Sequence, residues 1–439
     1  MFLLSLLLAC REPITPANPV YYGAVEKDLE SCATTCHTSE SHLPLNTYET
    51  ASSYADRIYS AVESGRMPPW LPASEAAIDY DENPLGYQND FSLSESQKEN
   101  ILEWVQTGAQ EGNPEDGIET SSTNQTLETD FPALEIGEYT LYPPEYTGTE
   151  SDYRCFLMDW PGTEEEPFVR GFQVVPDLKD AVHHAILYRV PEDYDGYDLD
   201  SYNYSDGENG WPCYGGINQS ENIDDDPLAY MGASLVGVSA LGSLPFYFPN
   251  NSGIRMAEGD RMIMQIHYDK AKIAAPVVDN TQVLFDVSDS VEHEGSIVFL
   301  LDLRWIYNLE VDPHSTVTLE TSEFDFDWAA TYVTGWPFPK DSKVTIAAVA
   351  GHAHGNTTEI SLGAIKETTQ NEAVLLDIPE WDMDFQMGYV FKNPMTISTA
   401  DNIHINCVIE NNTDETITWG EGSDDAMCVG IFYGYLAEE

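Results

Sequence analysis

With 439 residues the chain is long enough for two or three domains, each with its own core, and its 42% hydrophobic and 11% aromatic content excludes a disordered chain. Against 18 lysines and arginines stand 76 aspartates and glutamates, a formal charge of −58. That balance excludes nucleic-acid binding, which needs clustered Lys and Arg, and the acidic residues are spread along the chain as on a strongly solvated, salt-adapted surface.

The chain opens on a short apolar run, Met1-Phe2-Leu3-Leu4-Ser5-Leu6-Leu7-Leu8-Ala9-Cys10, with no basic residue in it. Its Leu-Leu-Ala-Cys end resembles that of a bacterial lipoprotein signal, where the cysteine becomes the lipidated first residue. The resemblance implies a signal over 1–10 and a protein exported to the bacterial envelope, lipid-anchored to a membrane surface and facing the periplasm or the cell exterior. No run reaches the roughly 18 apolar residues of a spanning helix, so anchoring rather than spanning is expected. Six further cysteines, Cys32, Cys36, Cys155, Cys213, Cys407 and Cys428, make an even set that suits pairing in an oxidising compartment.

Residues 24–112 read as a small helical domain. Tyr48, Ala51, Tyr54, Ala55, Ile58 and Val62 recur at spacings of three and four, an amphipathic helix over Thr47–Ser64. Ser94–Gln110 repeats the pattern from a Ser-Glu-Ser start, with Ile101, Leu102, Trp104 and Val105 inward. Near the start stands Cys32-Ala33-Thr34-Thr35-Cys36-His37. Two thiols beside a histidine are what covalent haem c needs, though three residues separate these cysteines where two are usual. Arg66-Met67-Pro68-Pro69-Trp70 follows, ahead of a last helix carrying Trp104. This order resembles small cytochromes c, which implies haem c bound by Cys32 and Cys36, with His37 and Met67 as axial ligands. A Cys32–Cys36 disulfide with no cofactor is the other reading of the same residues. His42 reads as a surface residue.

A polar run, 113–130, reads as a linker. Beyond it short alternating or apolar runs take over: Arg154–Asp159, Phe168–Val175, His184–Val190, Arg261–Tyr268, Gln282–Val287, Ser296–Leu303, Lys343–Val349, Glu359–Leu362, Ile403–Ile409 and Cys428–Leu436. Gly, Pro, Asn and Asp clusters separate them, the pattern of β-sandwiches. The fold class expected is mainly β, with two jelly-roll-like sandwiches, 131–288 and 289–439, preceded by the small all-α domain.

Half of the ten histidines fall in strand-like apolar contexts: Val182-His183-His184-Ala185, Gln265-Ile266-His267-Tyr268 and Gly351-His352-Ala353-His354-Gly355. His352 and His354, two apart on a strand, face the same side and can reach one metal. His183 and His184 are adjacent, so a shared metal demands a bulge, a strand end or different ring nitrogens. Ala426-Met427-Cys428 adds a thioether, a soft ligand that favours Cu(I), where imidazole alone accepts several metals. His293, His314 and His404 lack such contexts and read as structural or surface residues.

The set in this order resembles the copper type II monooxygenases, the family of dopamine β-monooxygenase and peptidylglycine α-hydroxylating monooxygenase, from about Asp130 to the C-terminus. The resemblance implies two copper ions: one on His183, His184 and His267 that stores an electron, and one on His352, His354 and Met427 where O2 is activated. It implies a small-molecule substrate hydroxylated with O2, and ascorbate or another one-electron donor, for which the haem domain offers a route. It also implies a disulfide ending at Cys428, with Cys407 the partner in the same domain; Cys155 and Cys213 pair in the other. In the peptide-hydroxylating member an arginine before His-x-His and Asn and Tyr after Met-Cys bind a carboxylate. Ala350, Val429 and Ile431 stand at those positions here, so a small neutral, aromatic or cationic substrate fits better. The alternative is a non-catalytic exported copper and haem electron-transfer protein.

Overall fold

The computed structural model describes residues 22–35, 37, 43–73, 77–88, 90–112, 126–163, 167–194, 198–213, 216–217, 233–240, 245–321, 324–325, 338–420, 422 and 424–438. The expected signal with Cys10, and also Cys36, His42 and 113–125 of the linker, lie outside the described residues. The chain divides into a helical unit, Met1–Trp70 with Phe91–Asn124, and a β unit, Leu71–Asp90 with Gln125–Glu439.

In the helical unit, Thr47 caps the first of two helices, Tyr48–Ser53 and Ala55–Glu63, through a reciprocal box with Thr50. Tyr54, at φ −106° and ψ 10°, breaks what the periodicity predicts as a single helix. Ser94 and Gln97 form the same box at the head of Glu95–Gln106. Ile101 and Trp104 are fully buried there among Val25, Leu29, Ile58 and Val62. Helices Tyr22–Asp28 and Glu30–Thr35 complete the unit.

Residues 71–90 leave the helical unit, so the helical domain expected over 24–112 is not continuous. Pro72, Pro84 and the left-handed Gly86 (φ 58°) bar a helix here. The segment lies along the second half of the β unit instead, bridging Ile78 to Val374 and Tyr87 to Phe391. Tyr87 donates its hydroxyl to the Leu375 carbonyl (2.8 Å) and Tyr80 donates to Asp401 (3.0 Å).

Three main sheets build the β unit. The longest has nine strands, in the order Leu134–Glu135, Gln282–Ser288, Phe168–Val175, Ser252–Arg255, His293–Leu300, Cys428–Leu436, Lys343–Ala353 and Gly388–Ser398, with Phe246–Tyr247 beside Phe168–Val175. Over its first half lies a five-stranded sheet, Trp211–Pro212, Ser151–Asp159, Arg261–Asp269, Val182–Val190 and Ser234–Ala240. Their alternating inner faces make one core, Phe172, Val174, Val283 and Phe285 against Phe156, Leu187, Met262 and Met264. Over the second half lies the sheet Ser315–Glu320, Asn402–Asn411, Thr357–Ile365 and Glu372–Ile378, with Phe324–Asp325 also beside Asn402–Asn411. Each half is thus a two-layered sandwich.

The boundary expected near 288–295 is a turn, yet the long sheet continues across it. His293 and Glu294 pair in parallel with Ser252 and Gly253, so the two halves share a sheet. The strand expected at Ser296–Leu303 runs instead over His293–Leu300, because Asp302 caps a short helix, Leu303–Asn308. Disulfides join Cys155 to Cys213 and Cys407 to Cys428. The second ties the Asn402–Asn411 strand of one sheet to the Cys428–Leu436 strand of the other. Among the described residues no helix is long and apolar enough to cross a membrane.

Candidate metal centre

Val182–Val190 and Arg261–Asp269 pair so that His267 lies opposite His184 and Tyr268 opposite Val182. His183 has no partner residue on that strand: it is the extra residue of a β-bulge. The bulge turns two adjacent imidazoles toward the same side, which a regular strand forbids. Nitrogen atoms of His183, His184 and His267 lie within 4.8 Å of one another, and the three rings meet edge to face at 5.0–5.4 Å between centroids. His183 Nδ1 and His184 Nδ1 are 3.2 Å apart. Tyr153, opposite His267 on the next strand, stacks on the His267 ring at 4.1 Å and 7°.

Burial, with the His183 ring beside it, pushes the His267 imidazole down to about 3. His184 is held well below the usual histidine range by burial first, then by His267 and His183. Neutral imidazole is the ligating form. Both ring nitrogens of His267 are buried without a hydrogen-bond partner among the described residues, a loss of about 1–3 kcal/mol for each stranded group. A cation on one of them supplies the missing partner, so the donor set fits a metal ion. Three imidazoles suit Cu, Zn, Ni or Fe.

The second set lies where Lys343–Ala353 pairs with Cys428–Leu436. Ala353 is opposite Cys428 and His352 opposite Val429, which brings His354 and Met427 to the adjoining position. The Cys407–Cys428 disulfide anchors the strand beside Met427. His352 and His354 have ring centroids 5.5 Å apart. His352 Nδ1–H donates to Gln386 Oε1 at 2.6 Å, and His354 Nδ1–H donates to the Asp425 carbonyl at 3.2 Å. Each Nε2 is thereby the nitrogen that carries the lone pair, the usual arrangement around a metal-binding histidine. Burial lowers His352, with the Gln386 bond opposing, while burial and His352 lower His354 to about 3. Two imidazole nitrogens and a buried thioether fit a soft metal such as Cu(I). Gly351 precedes the pair because a Cβ there would sit 2.6 Å from Ile360 of the facing sheet.

All six residues line one cavity of about 300 Å³. Its walls include Ile186, Val238, Ile297, Phe299, Ile431 and Met387, and among the described residues that line it none is Asp, Glu, Lys or Arg. Ala350, Val429 and Ile431 are among them. His293, His314 and His404 stand elsewhere. His293 stacks on Tyr435, His314 meets the exposed Asp414, and His404 lies 3.4 Å from Glu372. In the helical unit, His37 donates its Nδ1–H to the Leu43 carbonyl (2.8 Å) and its backbone N–H to the Cys32 carbonyl (2.8 Å), and Met67 is half-buried.

Sequence reasoning missed Gln386, Tyr153 and Trp419. Gln386 follows a single helical turn, Met383–Phe385, and is 34 residues from the ring it holds. Trp419 lines the cavity, and its indole nitrogen is buried with no hydrogen-bond partner among the described residues. Tyr153 alone carried a usable signal, its place on a strand that pairs with the His267 strand.

Residues 306–438 match the model of the copper type II ascorbate-dependent monooxygenase C-terminal domain. That range holds His352, His354 and Met427. Among solved structures, the chain is similar to the major capsid protein P2 from bacteriophage PM2, at 10% identity and a TM-score of 0.22 over 66% of this chain and 98% of that one. An allantoicase matches at 11% identity and a TM-score of 0.16 over 64% and 77%. Likenesses this slight carry no argument. Residues 306–438 thus form a domain similar to the C-terminal domain of the copper type II ascorbate-dependent monooxygenase family.

Proposed function

We propose that the chain hydroxylates a C–H bond of a small organic molecule with O2, using two copper ions. His183, His184 and His267 hold one, and His352, His354 and Met427 hold the other. The observation that carries this reading is that two donor sets of different softness, one all-imidazole and one with a thioether, line a single apolar cavity. A protein that only carries electrons has no use for such a cavity. The net conversion is R–H + O2 + two electrons + two protons to R–OH + H2O.

Copper held there supplies one-electron redox chemistry at both sets and binding of O2 at the softer one. The chain's own residues do the rest. Gln386 Oε1 and the Asp425 carbonyl fix the rings of His352 and His354, so each presents Nε2 and stays neutral. Tyr153 holds the plane of His267. Ile186, Val238, Phe299 and Ile431 give the space between the two sets apolar walls.

The electrons come from ascorbate or from another one-electron donor. Haem c, held by Cys32 and Cys36 with His37 and Met67 as its other protein ligands, would supply one electron at a time; the His37 Nδ1–H bond to Leu43 supports this by leaving Nε2 as the lone-pair nitrogen. Export to an oxidising compartment belongs to the same reading, supported by the two disulfides. The test is O2 uptake by the copper-loaded chain with ascorbate across a substrate panel, with His352→Ala and Met427→Ala beside it. Product and O2 consumed in equal amounts, lost in both variants, is the expected result. A copper-loaded chain that consumes no O2 with any substrate contradicts the proposal. A pyridine haemochrome spectrum tests the haem, and its absence with Cys32 bonded to Cys36 removes that part.

A further inference from the structure

Among the described residues, the strands Glu372–Ile378 and Gly388–Ser398 each stand at the end of a sheet, and residues 379–387 cross from one to the other. That connection carries Gln386, whose Oε1 accepts the His352 Nδ1–H at 2.6 Å. It also carries the Met383 carbonyl, which accepts from the Gln386 amide at 3.0 Å and so fixes its orientation. Its middle is tied to the neighbouring strand Thr357–Ile365, where the Trp381 N–H donates to the Thr358 carbonyl (2.8 Å). The place of Gln386 therefore depends on how the two strand ends are held, and those ends belong to different sheets.

Residues 71–90 lie across both. On the entering side the Ala73 N–H donates to the Asp377 carbonyl and the Ile78 N–H to the Val374 carbonyl, each at 2.8 Å. On the leaving side the Gln88 N–H donates to the Val390 carbonyl (2.7 Å) and its side-chain amide to the Phe391 carbonyl (2.9 Å). An outermost strand leaves a row of N–H and C=O groups unpaired, so these bonds tie down what the sheets alone leave loose. Tyr87 joins the two sides in one side chain. Its hydroxyl donates to the Leu375 carbonyl of one strand at 2.8 Å. Its ring lies on Tyr389 and Phe391 of the other, at 5.3 and 5.7 Å between centroids. Tyr87, Tyr389 and Phe391 are all buried, so the ring contact is close-packed and resists sliding. Tyr389 stands three residues after Gln386.

We infer that Tyr87 is a positioning residue for His352. As a brace between Leu375 and Tyr389 it holds the 379–387 connection where Gln386 keeps the His352 proton on Nδ1. Tyr87 lies outside the matched domain, 306–438, on a segment that continues at both ends into the helical unit. The second donor set is thus completed by chain from far earlier in the sequence.

The test uses the full, metal-free chain with ¹⁵N-labelled histidine. Two-bond ¹H–¹⁵N spectra read the ring tautomers, and His352→Gln assigns the signal. The native chain should show His352 as the Nδ1–H tautomer. In Tyr87→Ala we expect a mixture of tautomers, and amide hydrogen exchange in 379–387 at least about tenfold faster, with exchange in Val182–Val190 unchanged. Competition with a Cu(I) chelator should show about tenfold weaker binding at His352, His354 and Met427, the low end for loss of a ligand's supporting partner, and none at His183, His184 and His267. Tyr87→Phe keeps the ring contact and recovers most of each loss. Tyr80→Phe frees the far end of the same segment from Asp401 (3.0 Å) and leaves all three readouts as in the native chain. Tyr87→Leu, which fills the space without the hydroxyl or the ring stacking, serves should Tyr87→Ala not fold. A native-like tautomer and exchange rate in the folded variant overturns the inference. So does an equal response to Tyr80→Phe, or equal weakening of both copper sets. The copper readout rests on the proposed function, whereas tautomer and exchange do not. A native chain that takes no Cu(I) at His352, His354 and Met427 sinks that function, and the other two readouts still decide the role of Tyr87.

Discussion

Gln386→Leu removes a group that lies outside both donor sets yet fixes one of them. In the native chain Gln386 Oε1 accepts the His352 Nδ1–H at 2.6 Å while its Nε2–H donates to the Met383 carbonyl at 3.0 Å. Leucine keeps the bulk and removes both bonds. The His352 ring then loses the acceptor that assigns its proton to Nδ1, so Nε2 is no longer the settled ligand atom and the ring is free to turn. Loss of such a partner costs roughly 10–100-fold in metal affinity, which is about 1.4–2.8 kcal/mol. The two stranded groups cost a further 1–3 kcal/mol or so of stability. Competition with a calibrated Cu(I) chelator reads the two sites separately when His267→Ala is made in parallel. We expect the weakening to fall on the site of His352, His354 and Met427, with that of His183, His184 and His267 unchanged. Gln386→Glu, which keeps the acceptor, restores most of the affinity. Equal weakening of both sites, or none with the fold intact, refutes the assigned role.

Acid should destabilise the metal-free chain. His267 and His354 titrate at about 3 in the folded state because burial disfavours their charged form. The unfolded chain therefore binds more protons below its ordinary histidine value, and stability falls as pH drops from about 6.5 towards 3, by roughly 1.4 kcal/mol per pH unit for each group. Urea midpoints at pH 7 and pH 5 for the native chain and His267→Gln check this, and a variant with the same pH slope would contradict it. Cys407→Ala with Cys428→Ala opens a loop of sequence separation 21, worth about 3 kcal/mol in the chain-entropy model; denaturant unfolding should show that loss and weaker metal binding beside Met427. Ala350→Arg sets a guanidinium in a wall that carries no charged side chain among the described residues, and 4-methylbenzoate should gain affinity relative to 4-methylanisole, whereas an unchanged ratio would contradict a role of Ala350 in the wall.

Much of the β unit is legible because inner and outer residues alternate along its strands. Phe168–Val175 and Cys428–Leu436 have the limits their sequence implies. Gly388–Ser398 is not legible, since Lys392, Asn393 and Pro394 interrupt it. The structure accommodates them where the pairing with Lys343–Ala353 shifts register between Ile346 and Ala348, and residues 85–86 bond to Lys392 and Asn393 instead. The sharing of one sheet by both halves rests on two parallel residue pairs, too short for any pattern. Residues 71–90 pair through isolated bridges, which leave no periodicity to read. In the site, the adjacency of His183 and His184 left a bulge, a strand end or different ring nitrogens open, and the register shift opposite His267 and Tyr268 selects the bulge. Gln386 gave no warning: it acts through a tertiary contact from an irregular turn, and a glutamine does not announce one.

In the proposed function two separate donor sets hold two coppers over one cavity. Counting copper on the purified full chain, with His267→Ala and Met427→Ala measured beside it, tests this most directly. Two coppers are expected on the native chain and one on each variant, with the remaining copper spectroscopically distinct between the two. One copper on the native chain, or loss of both in either folded variant, would contradict it.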